Sequence, residues 1–142
     1  MIALRAAAVA AGAAAVAATG AVLVARRRFT LTTVDGPSME PTLRSGDRLL
    51  VRKTTRVRRG QIVLFKNPKD EGVLLLKRTV AVQGDRLPTE WSFPDIEQIS
   101  GRTVPPSSYV VLGDNRPTSF DSRHFGFISR ESLVGVMLRR VS

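Results

Sequence analysis

The sequence of 142 residues contains no cysteine and a single histidine. A chain without cysteine forms no disulfide framework and offers no thiolate to a metal ion, and one histidine argues against a histidine-rich metal site. Aromatic residues are scarce as well, with six Phe, one Trp (Trp91) and one Tyr (Tyr109), so few rings are available to stack on nucleic-acid bases. These absences exclude disulfide-stabilised scaffolds and cysteine-ligated metal proteins.

Acidic residues are also few. Asp and Glu total 12 against 22 Lys and Arg, which gives a formal net charge of +10. Such an excess indicates an anionic partner, either a membrane surface, a nucleic acid or an acidic protein. Much of it lies between Arg26 and Arg59. The length suits one domain with an ordinary core, and the hydrophobic content of 43% indicates a globular body.

The N-terminal segment differs in composition from the rest, because residues 6–25 carry no charge and are mostly Ala or Val. About 20 apolar residues form a helix long enough to cross the hydrocarbon core of a membrane. A retained anchor, a secretory signal and an Ala-rich helical tail are three interpretations of this segment. The anchor is favoured over the signal because only Arg5 precedes the apolar run, whereas a signal normally carries its positive charge there.

From Phe29 onward the pattern predicts β-strands separated by turns rich in Gly, Pro, Asn and Asp. The predicted strands are residues 29–34, 47–53, 61–66, 73–83, 108–112 and 133–141. A polar, Pro-containing stretch at 87–106 shows little periodicity. Strands at this spacing predict a mainly β fold, an antiparallel sandwich or partly open barrel, preceded by one N-terminal helix.

The segment Gly36-Pro37-Ser38-Met39-Glu40-Pro41-Thr42 places a hydroxyl between two prolines. Proline fixes φ and moves the preceding residue out of the helical region, so we expect a stiff bend that exposes the Oγ and the N–H of Ser38. A serine nucleophile needs this geometry, with a backbone donor aimed where an oxyanion would form. The alternative is that Ser38 caps a short helical turn while Met39 packs in the core.

Lys77 lies inside the longest apolar strand, on the same predicted face as Leu75 and Thr79, whereas Arg78 points to the other face. Apolar surroundings destabilise the charged form of a lysine and lower its pKa. A neutral lysine can take the proton of a serine hydroxyl, and it would complete a Ser–Lys dyad. The alternative is an edge strand on which Lys77 extends to water.

A run of turn formers and hydrogen-bonding side chains follows the strand at 108–112. Ser119 and Asp121 can orient other groups, and Arg123 can pair with Asp121. A plain surface turn around Gly113, Asp114 and Asn115 is the alternative. A rival enzymatic interpretation is a Ser-His-Asp triad of Ser38, His124 and either Asp121 or Asp114, but no spacing supports it.

Together these segments resemble the type I signal (leader) peptidases, a family of membrane-bound Ser–Lys endopeptidases that includes the mitochondrial inner-membrane proteases. The similarity covers roughly residues 29–141 and rests on four motifs in the family's order, which unrelated folds have no reason to share. The motifs are Gly36–Thr42 with its continuation to Lys53, Arg59–Val63, Lys77–Arg78, and Gly113–Arg116 with Ser119, Asp121, Ser122 and Arg123. Gln61 stands where the family usually has Asp.

The resemblance implies that Ser38 is the nucleophile, that its backbone N–H serves the oxyanion hole, and that Lys77 is the general base. It implies support of the site by Met39, Arg78, Asp114, Ser119, Asp121 and Arg123. Some members add a side-chain hydroxyl two residues before the nucleophile, where this chain has Gly36. Loss of one such donor costs roughly 10²–10³ in rate, which would affect efficiency and leave the mechanism unchanged.

The implied reaction is peptide hydrolysis through an acyl-serine, without metal or cofactor. The implied partners are exported preproteins cut after small residues, and anionic membrane lipid, with no nucleic acid. A peptidase dedicated to one substrate, such as the nickel-type superoxide dismutase leader, fits the short length equally. We expect residues 1–28 to form a membrane anchor with a basic flank and residues 29–142 to form a β-rich catalytic domain.

The implied location is a single-pass protein of the cell membrane with its catalytic domain on the extracytoplasmic side. The positive-inside rule predicts the opposite, because it holds Arg26, Arg27 and Arg28 in the cytoplasm. A start site further upstream, adding a basic N-terminal segment, would resolve this conflict.

Two other classes stay open. Self-cleaving repressors share the dyad and a similar β core, although an Ala-rich segment precedes the core here instead of a helix-turn-helix. A non-enzymatic basic β-barrel that binds nucleic acid would explain the charge, but it would require neither Ser38 nor Lys77.

Overall fold

The computed structural model describes residues 1–89 and 99–141. Part of the polar stretch predicted at 87–106, including Trp91, lies outside these residues. The helices are α1 (Ile2–Arg28) and α2 (Ser122–Phe125). The strands are β1 (Phe29–Thr33), β2 (Arg48–Lys53), β3 (Ile62–Asn67), β4 (Asp70–Val82), β5 (Ser108–Leu112), β6 (Ile128–Ser129) and β7 (Leu133–Val141), with short 3₁₀ turns at Arg116–Thr118 and Arg130–Ser132.

Among the described residues, α1 is the one helix long and apolar enough to cross a membrane, with a mean hydropathy of 2.1. None of its residues is buried against the rest of the protein. Arg26, Arg27 and Arg28 lie in its last turn, where cations favour the negative end of the helix dipole. Lys53 Nζ donates a hydrogen bond of 3.1 Å to the carbonyl oxygen of Arg26 and so fastens the end of α1 to β2.

The strands form one seven-stranded sheet in the order β1-β2-β7-β3-β4-β5-β6. Every pair of neighbours is antiparallel. The prediction of a mainly β, antiparallel fold behind an N-terminal helix is therefore confirmed. β7 is the third strand of this order, between β2 and β3, although it is the last strand along the described chain.

The segment between β1 and β2 is anchored in the core. Its apolar side chains pack with those of β2 and β3 in one buried cluster, composed of Val34, Met39, Leu43, Leu49, Val51, Ile62 and Leu64. Burial of Met39, which is 1% exposed, removes a large apolar side chain from water and stabilises the bend by about 1.5–3 kcal/mol. The bend before β2 is thus held by packing as well as by its prolines.

Two short elements escaped the sequence pattern, α2 and β6. α2 contains four residues, too few for a helical period, and begins because the carboxylate of Asp121 accepts the N–H of Arg123 at its N-terminus. β6 contains two residues that pair with the start of β5. A 3₁₀ turn at Arg130–Ser132 connects β6 to β7.

Candidate active site

The serine bend has the exposed geometry that its prolines predict. Gly36 has φ of +82°, a conformation that glycine adopts at little cost. The N–H of Glu40 closes the turn on the carbonyl oxygen of Pro37 at 3.0 Å. Ser38 is half-buried on this turn while the next residue, Met39, enters the core. The accessible serine of the first interpretation and the buried methionine of the alternative are therefore present together.

Lys77 reaches this bend from β4. Its Nζ donates to the Oγ of Ser38 at 2.6 Å, although the two residues are 39 positions apart in sequence. The Lys77 side chain is buried, and Thr79 and Ala81 on the same strand face are buried with it. Burial lowers the pKa of Lys77 below its ordinary value, and the negative charge of Asp121 offsets part of this shift. A lysine held in this way can release its proton more readily than an exposed one.

Arg78, the next residue of β4, connects the lysine strand to two other segments. Its Nε and Nη2 donate to the two carboxylate oxygens of Asp114 at 2.8 and 2.7 Å. The same carboxylate accepts the hydroxyl of Thr42 at 2.6 Å, so it joins the serine bend to β4. The hydrogen bond from Arg78 holds the pKa of Asp114 below its usual range. Asp114 is therefore an ionised bridge between the two halves of the site.

Asp121 forms a second, fully buried ionic network. Its carboxylate accepts Nε and Nη2 of Arg123 at 2.9 and 3.0 Å, the hydroxyl of Ser119 at 2.7 Å and the N–H of Gly113 at 2.9 Å. Burial raises the pKa of Asp121, but the bonds from Arg123, Gly113 and Ser119 outweigh it and hold the pKa below its usual range. Ser119 donates its hydroxyl to Asp121 and makes no hydrogen bond to Lys77. Asp121 acts on Lys77 through its negative charge, which raises the pKa of the lysine.

The segment after β5 holds the backbone of the serine bend. The N–H of Asn115 donates to the carbonyl oxygen of Ser38 at 3.0 Å, and its side-chain Nδ2 donates to that of Pro37 at 3.1 Å. At Gly113 a Cβ would overlap the side chain of Ser119 and lie 2.7 Å from the Ser38 carbonyl oxygen. Glycine is required there because two segments approach too closely for a side chain.

A pocket of about 110 Å³ opens beside the Ser38–Lys77 pair. Its walls come from the end of β1, the serine bend and the middle of β4. The residues that line it are Thr32, Thr33, Val34, Asp35, Ser38, Met39, Leu64, Leu74, Leu75, Leu76 and Lys77. A cavity of this size beside a serine hydroxyl accommodates a small side chain better than a large one.

Comparison with known proteins identifies the family. The family described as "Signal peptidase, peptidase S26" matches residues 5–92 and 86–141. The chain belongs to this family. It is 34% identical over 140 residues to a signal peptidase I of Bacillus caldolyticus, with 75% of this chain and 76% of the relative covered.

Other members of the signal peptidase family are similar over comparable lengths. Signal peptidase I V of Bacillus subtilis is 32% identical, over 82% of this chain and 88% of the relative. Subunit 1a of the mitochondrial ATP-independent inner membrane protease of Arabidopsis thaliana is 36% identical, over 80% and 70%. A solved signal peptidase I from Enterococcus faecalis matches 58% of this chain and 97% of its own with 28% identity and a TM-score of 0.47. The family match and the signal peptidase relatives show that the protein is a serine endopeptidase, and the predicted resemblance is confirmed.

The structure argues against two alternative interpretations of the sequence, a Ser-His-Asp triad and a solvent-exposed Lys77. His124 does not approach Ser38: its ring stacks on Phe120 at 4.1 Å, and its Nδ1 accepts the N–H of Asp121 at 3.4 Å. Lys77 is buried and does not extend to water. Within residues 1–89 and 99–141, no three His, Asp or Glu side chains lie together as a metal site would require.

Sequence reasoning missed the roles of two residues, Thr42 and Asn115. Thr42 lies in the quoted serine segment, and Asn115 lies in the turn after β5, but the bonds they make span 72 and 78 positions of sequence. No local periodicity reports on such pairs. The available signal was the presence of a hydroxyl and an amide next to residues already predicted to matter.

Proposed function

We propose that the protein is a membrane-bound signal peptidase that removes N-terminal signal or leader peptides from exported preproteins, with Ser38 as the nucleophile and Lys77 as the general base. The observation that carries the proposal is the 2.6 Å separation of Lys77 Nζ and Ser38 Oγ, together with burial of that lysine. A nucleophile and a base within hydrogen-bond reach are the requirement for covalent catalysis by serine.

In the first half-reaction, neutral Lys77 takes the proton of Ser38 Oγ as this oxygen attacks the scissile carbonyl. The ammonium so formed returns the proton to the leaving amine when the C–N bond breaks, and an acyl-serine remains. In the second half-reaction, Lys77 takes a proton from water, the resulting oxygen attacks the ester, and the proton returns to Ser38. Lys77 can cycle in this way because burial lowers its pKa.

The backbone N–H of Ser38 is the proposed oxyanion donor. The described residues supply no acceptor for it, so it is free to meet the oxygen of a tetrahedral intermediate. Gly36 contributes no hydroxyl, and a Cβ at that position would meet nothing within 4 Å. The backbone donor would therefore act without side-chain help from residue 36.

The pocket of about 110 Å³ beside the pair favours substrates with small residues before the cleaved bond. β5 pairs with residues 78–82 of β4, while residues 74–77 pair only with β3 among the described strands. An extended peptide can add to this free edge, where backbone hydrogen bonds would align its carbonyl with Ser38.

We propose that five polar side chains position the pair without touching the substrate: Arg78, Asp114, Ser119, Asp121 and Arg123. Arg78 and Asp114 hold β4 to the serine bend, whereas Ser119, Asp121 and Arg123 fix the segment behind it. Met39 acts from the core side, because its burial fixes the turn that presents Ser38. Such supporting contacts keep reacting groups within the narrow tolerance that catalysis requires.

Residues 1–28 are the proposed anchor and residues 29–142 the proposed catalytic domain, facing the extracytoplasmic side where exported preproteins emerge. The apolar character of α1 supports the anchor, and the three arginines in its last turn favour the opposite orientation. Protease accessibility of the body in intact and in opened cells tests the sidedness: digestion only after opening would overturn it.

The mechanism is tested with the full chain in detergent and a peptide that carries an apolar run, small residues and a polar tail. Ser38→Ala and Lys77→Met should each lower kcat/KM by at least about 10⁴-fold, the scale seen when a member of a catalytic unit is removed. Lys66→Met, at an exposed position of β3, is the matched control and should cleave normally.

An ester analogue of the same peptide tests the covalent intermediate. The wild-type protein is mixed with this ester and analysed by mass spectrometry, which should show the acyl mass added to Ser38. The Ser38→Ala protein should stay unmodified. Retained cleavage by the Lys77→Met protein would remove the dyad, and an acyl group on another residue would remove Ser38 as the nucleophile.

A further inference from the structure

A basic basin lies at the C-terminal end of α1 and shares no lining residue with the pocket beside Ser38. It has a volume of about 640 Å³ and is lined by Arg28, Arg52, Lys53, Thr54, Arg56, Arg58 and Gln61. Five of these seven residues are cations. They come from the last residue of α1, the end of β2 and the loop that leads to β3.

The described residues place no carboxylate within ion-pair distance of these five cations. The four ion pairs recorded among them belong to other arginines, namely Arg59, Arg78, Arg123 and Arg140. Like charges that share a concave surface repel one another and raise the local positive potential. A cluster that the protein leaves uncompensated is best satisfied by an external anion.

An open apolar groove of about 400 Å³ adjoins the basin. It is lined by Ala25, Arg26, Phe29, Thr30, Leu31, Leu50 and Lys53, so that Lys53 belongs to both cavities. The strand register places apolar and basic residues side by side, because Leu31 pairs with Leu50 and Phe29 pairs with Arg52. Leu31 is 55% exposed, which is high for a large aliphatic side chain on a strand.

We propose that the basin and the groove together bind one anionic phospholipid, with its phosphate among the arginines and an acyl chain along Phe29, Leu31 and Leu50. Both cavities adjoin the end of α1, whose exposed apolar surface is suited to hydrocarbon. A free phosphate ion has no acyl chain to occupy the apolar groove. The lipid would fix the height of the body above the membrane.

The test uses the full chain in micelles that contain equal amounts of phosphatidylglycerol and phosphatidylcholine, with bound lipids counted by native mass spectrometry. The wild type should retain one phosphatidylglycerol in preference to phosphatidylcholine. Each basic residue near anionic lipid contributes roughly a five-fold change in binding, so Arg56→Gln/Arg58→Gln should lose most of this preference. Arg44→Gln/Arg86→Gln removes two exposed arginines outside both cavities and should retain it.

Equal loss in both double variants, or equal retention of the two lipids by the wild type, would overturn the site in favour of a general charge effect. Neither readout requires peptidase activity, so the outcome is independent of the proposed mechanism. Circular dichroism of each variant checks that the fold is retained.

Soluble ligands separate the possible sources of the phosphate. Lysophosphatidylglycerol should bind the wild type more tightly than glycerol phosphate, and Leu31→Asn should weaken the former while leaving the latter unchanged. Equal binding of glycerol phosphate and the lysolipid would remove the groove from the site. Displacement of phosphatidylglycerol by single-stranded RNA at equal concentration would overturn the lipid as occupant.

Discussion

Arg78 and Asp114 form a two-point ion pair, with both nitrogen–oxygen distances below 2.9 Å, directly beside the residue that bonds to Ser38. Asp114 also holds Thr42 of the serine bend. The pair therefore sets the distance between β4 and the bend, and through it the distance between Lys77 and Ser38. Its planar fork geometry is specific to arginine.

Arg78→Lys keeps the positive charge but removes the planar pair of donors that binds both carboxylate oxygens of Asp114. We expect kcat/KM to fall about ten-fold, since one charge-assisted hydrogen bond contributes about 1.5 kcal/mol. The acidic limb of the pH profile should stay in place, because Lys77 keeps its surroundings. Arg86→Lys, at an exposed position, is the control. A shifted limb would show that Arg78 acts on the proton affinity of Lys77 instead of on its position.

The pH dependence of kcat/KM should show an acidic limb set by Lys77. The lysine works as a base only when neutral, so the rate rises with pH through its pKa, which lies below the ordinary value of 10.5. Because the chain contains no cysteine, a cysteine introduced at position 77 can be alkylated selectively, which tests whether Lys77 sets the limb. Lys77→Cys alkylated with bromoethylamine restores an amine that is a slightly weaker base, and the limb should move to lower pH. An unmoved limb would belong to another group.

Lys77→Met should inactivate the enzyme and stabilise the fold. Because the folded pKa of Lys77 lies below its unfolded value, the lysine destabilises the protein fully at pH values below the folded pKa. The penalty decreases as pH rises from the folded pKa toward 10.5. Denaturant titration should show Lys77→Met more stable by about 1–3 kcal/mol near neutrality, the cost of burying a polar group, with the difference narrowing in base. A difference that is constant with pH would contradict this.

Gly113→Ala should damage catalysis more than folding. The new Cβ would meet Ser119 and the carbonyl oxygen of Ser38, and the bend can make room for it by moving Ser38. A displacement near 1 Å costs about 100-fold in rate, so we expect kcat to fall by about this factor. Gly113→Ala/Ser119→Gly, measured against Ser119→Gly alone, should recover stability and leave kcat low. Full recovery of kcat would place the damage at Ser119 instead of at the nucleophile.

Much of the fold could be predicted from local sequence patterns. The bounds predicted for β5 and β7 match the structure, because β5 is an apolar run between turn residues and β7 begins with an apolar run directly after a turn. Local patterns indicated a stiff bend at Ser38 and a buried Lys77, and the resemblance to the signal peptidases implied that the two side chains act together. Two elements were not predicted, for different reasons. α2 has only four residues, too few to show a helical period, although the Asp121 that stabilises its start is adjacent in sequence. β6 has two residues and depends on pairing with β5, which is distant in sequence.

The order of the strands in the sheet could not be predicted from the sequence either. Nothing in the apolar run at 133–141 indicates that it would pair with β2 on one side and β3 on the other. Likewise, the hydroxyl of Thr42 and the amide of Asn115 gain their roles only when the bend and the segment after β5 come together.

The position of β7 has a consequence for the order in which the sheet can form. β1 and β2 lie on one side of it and β3 to β6 on the other, so the two groups of described strands hydrogen-bond to each other only through β7. The sheet therefore cannot be completed during synthesis until residues 133–141 have been translated. Truncation before residue 133 would leave the inner edges of β2 and β3 without a hydrogen-bonded neighbour.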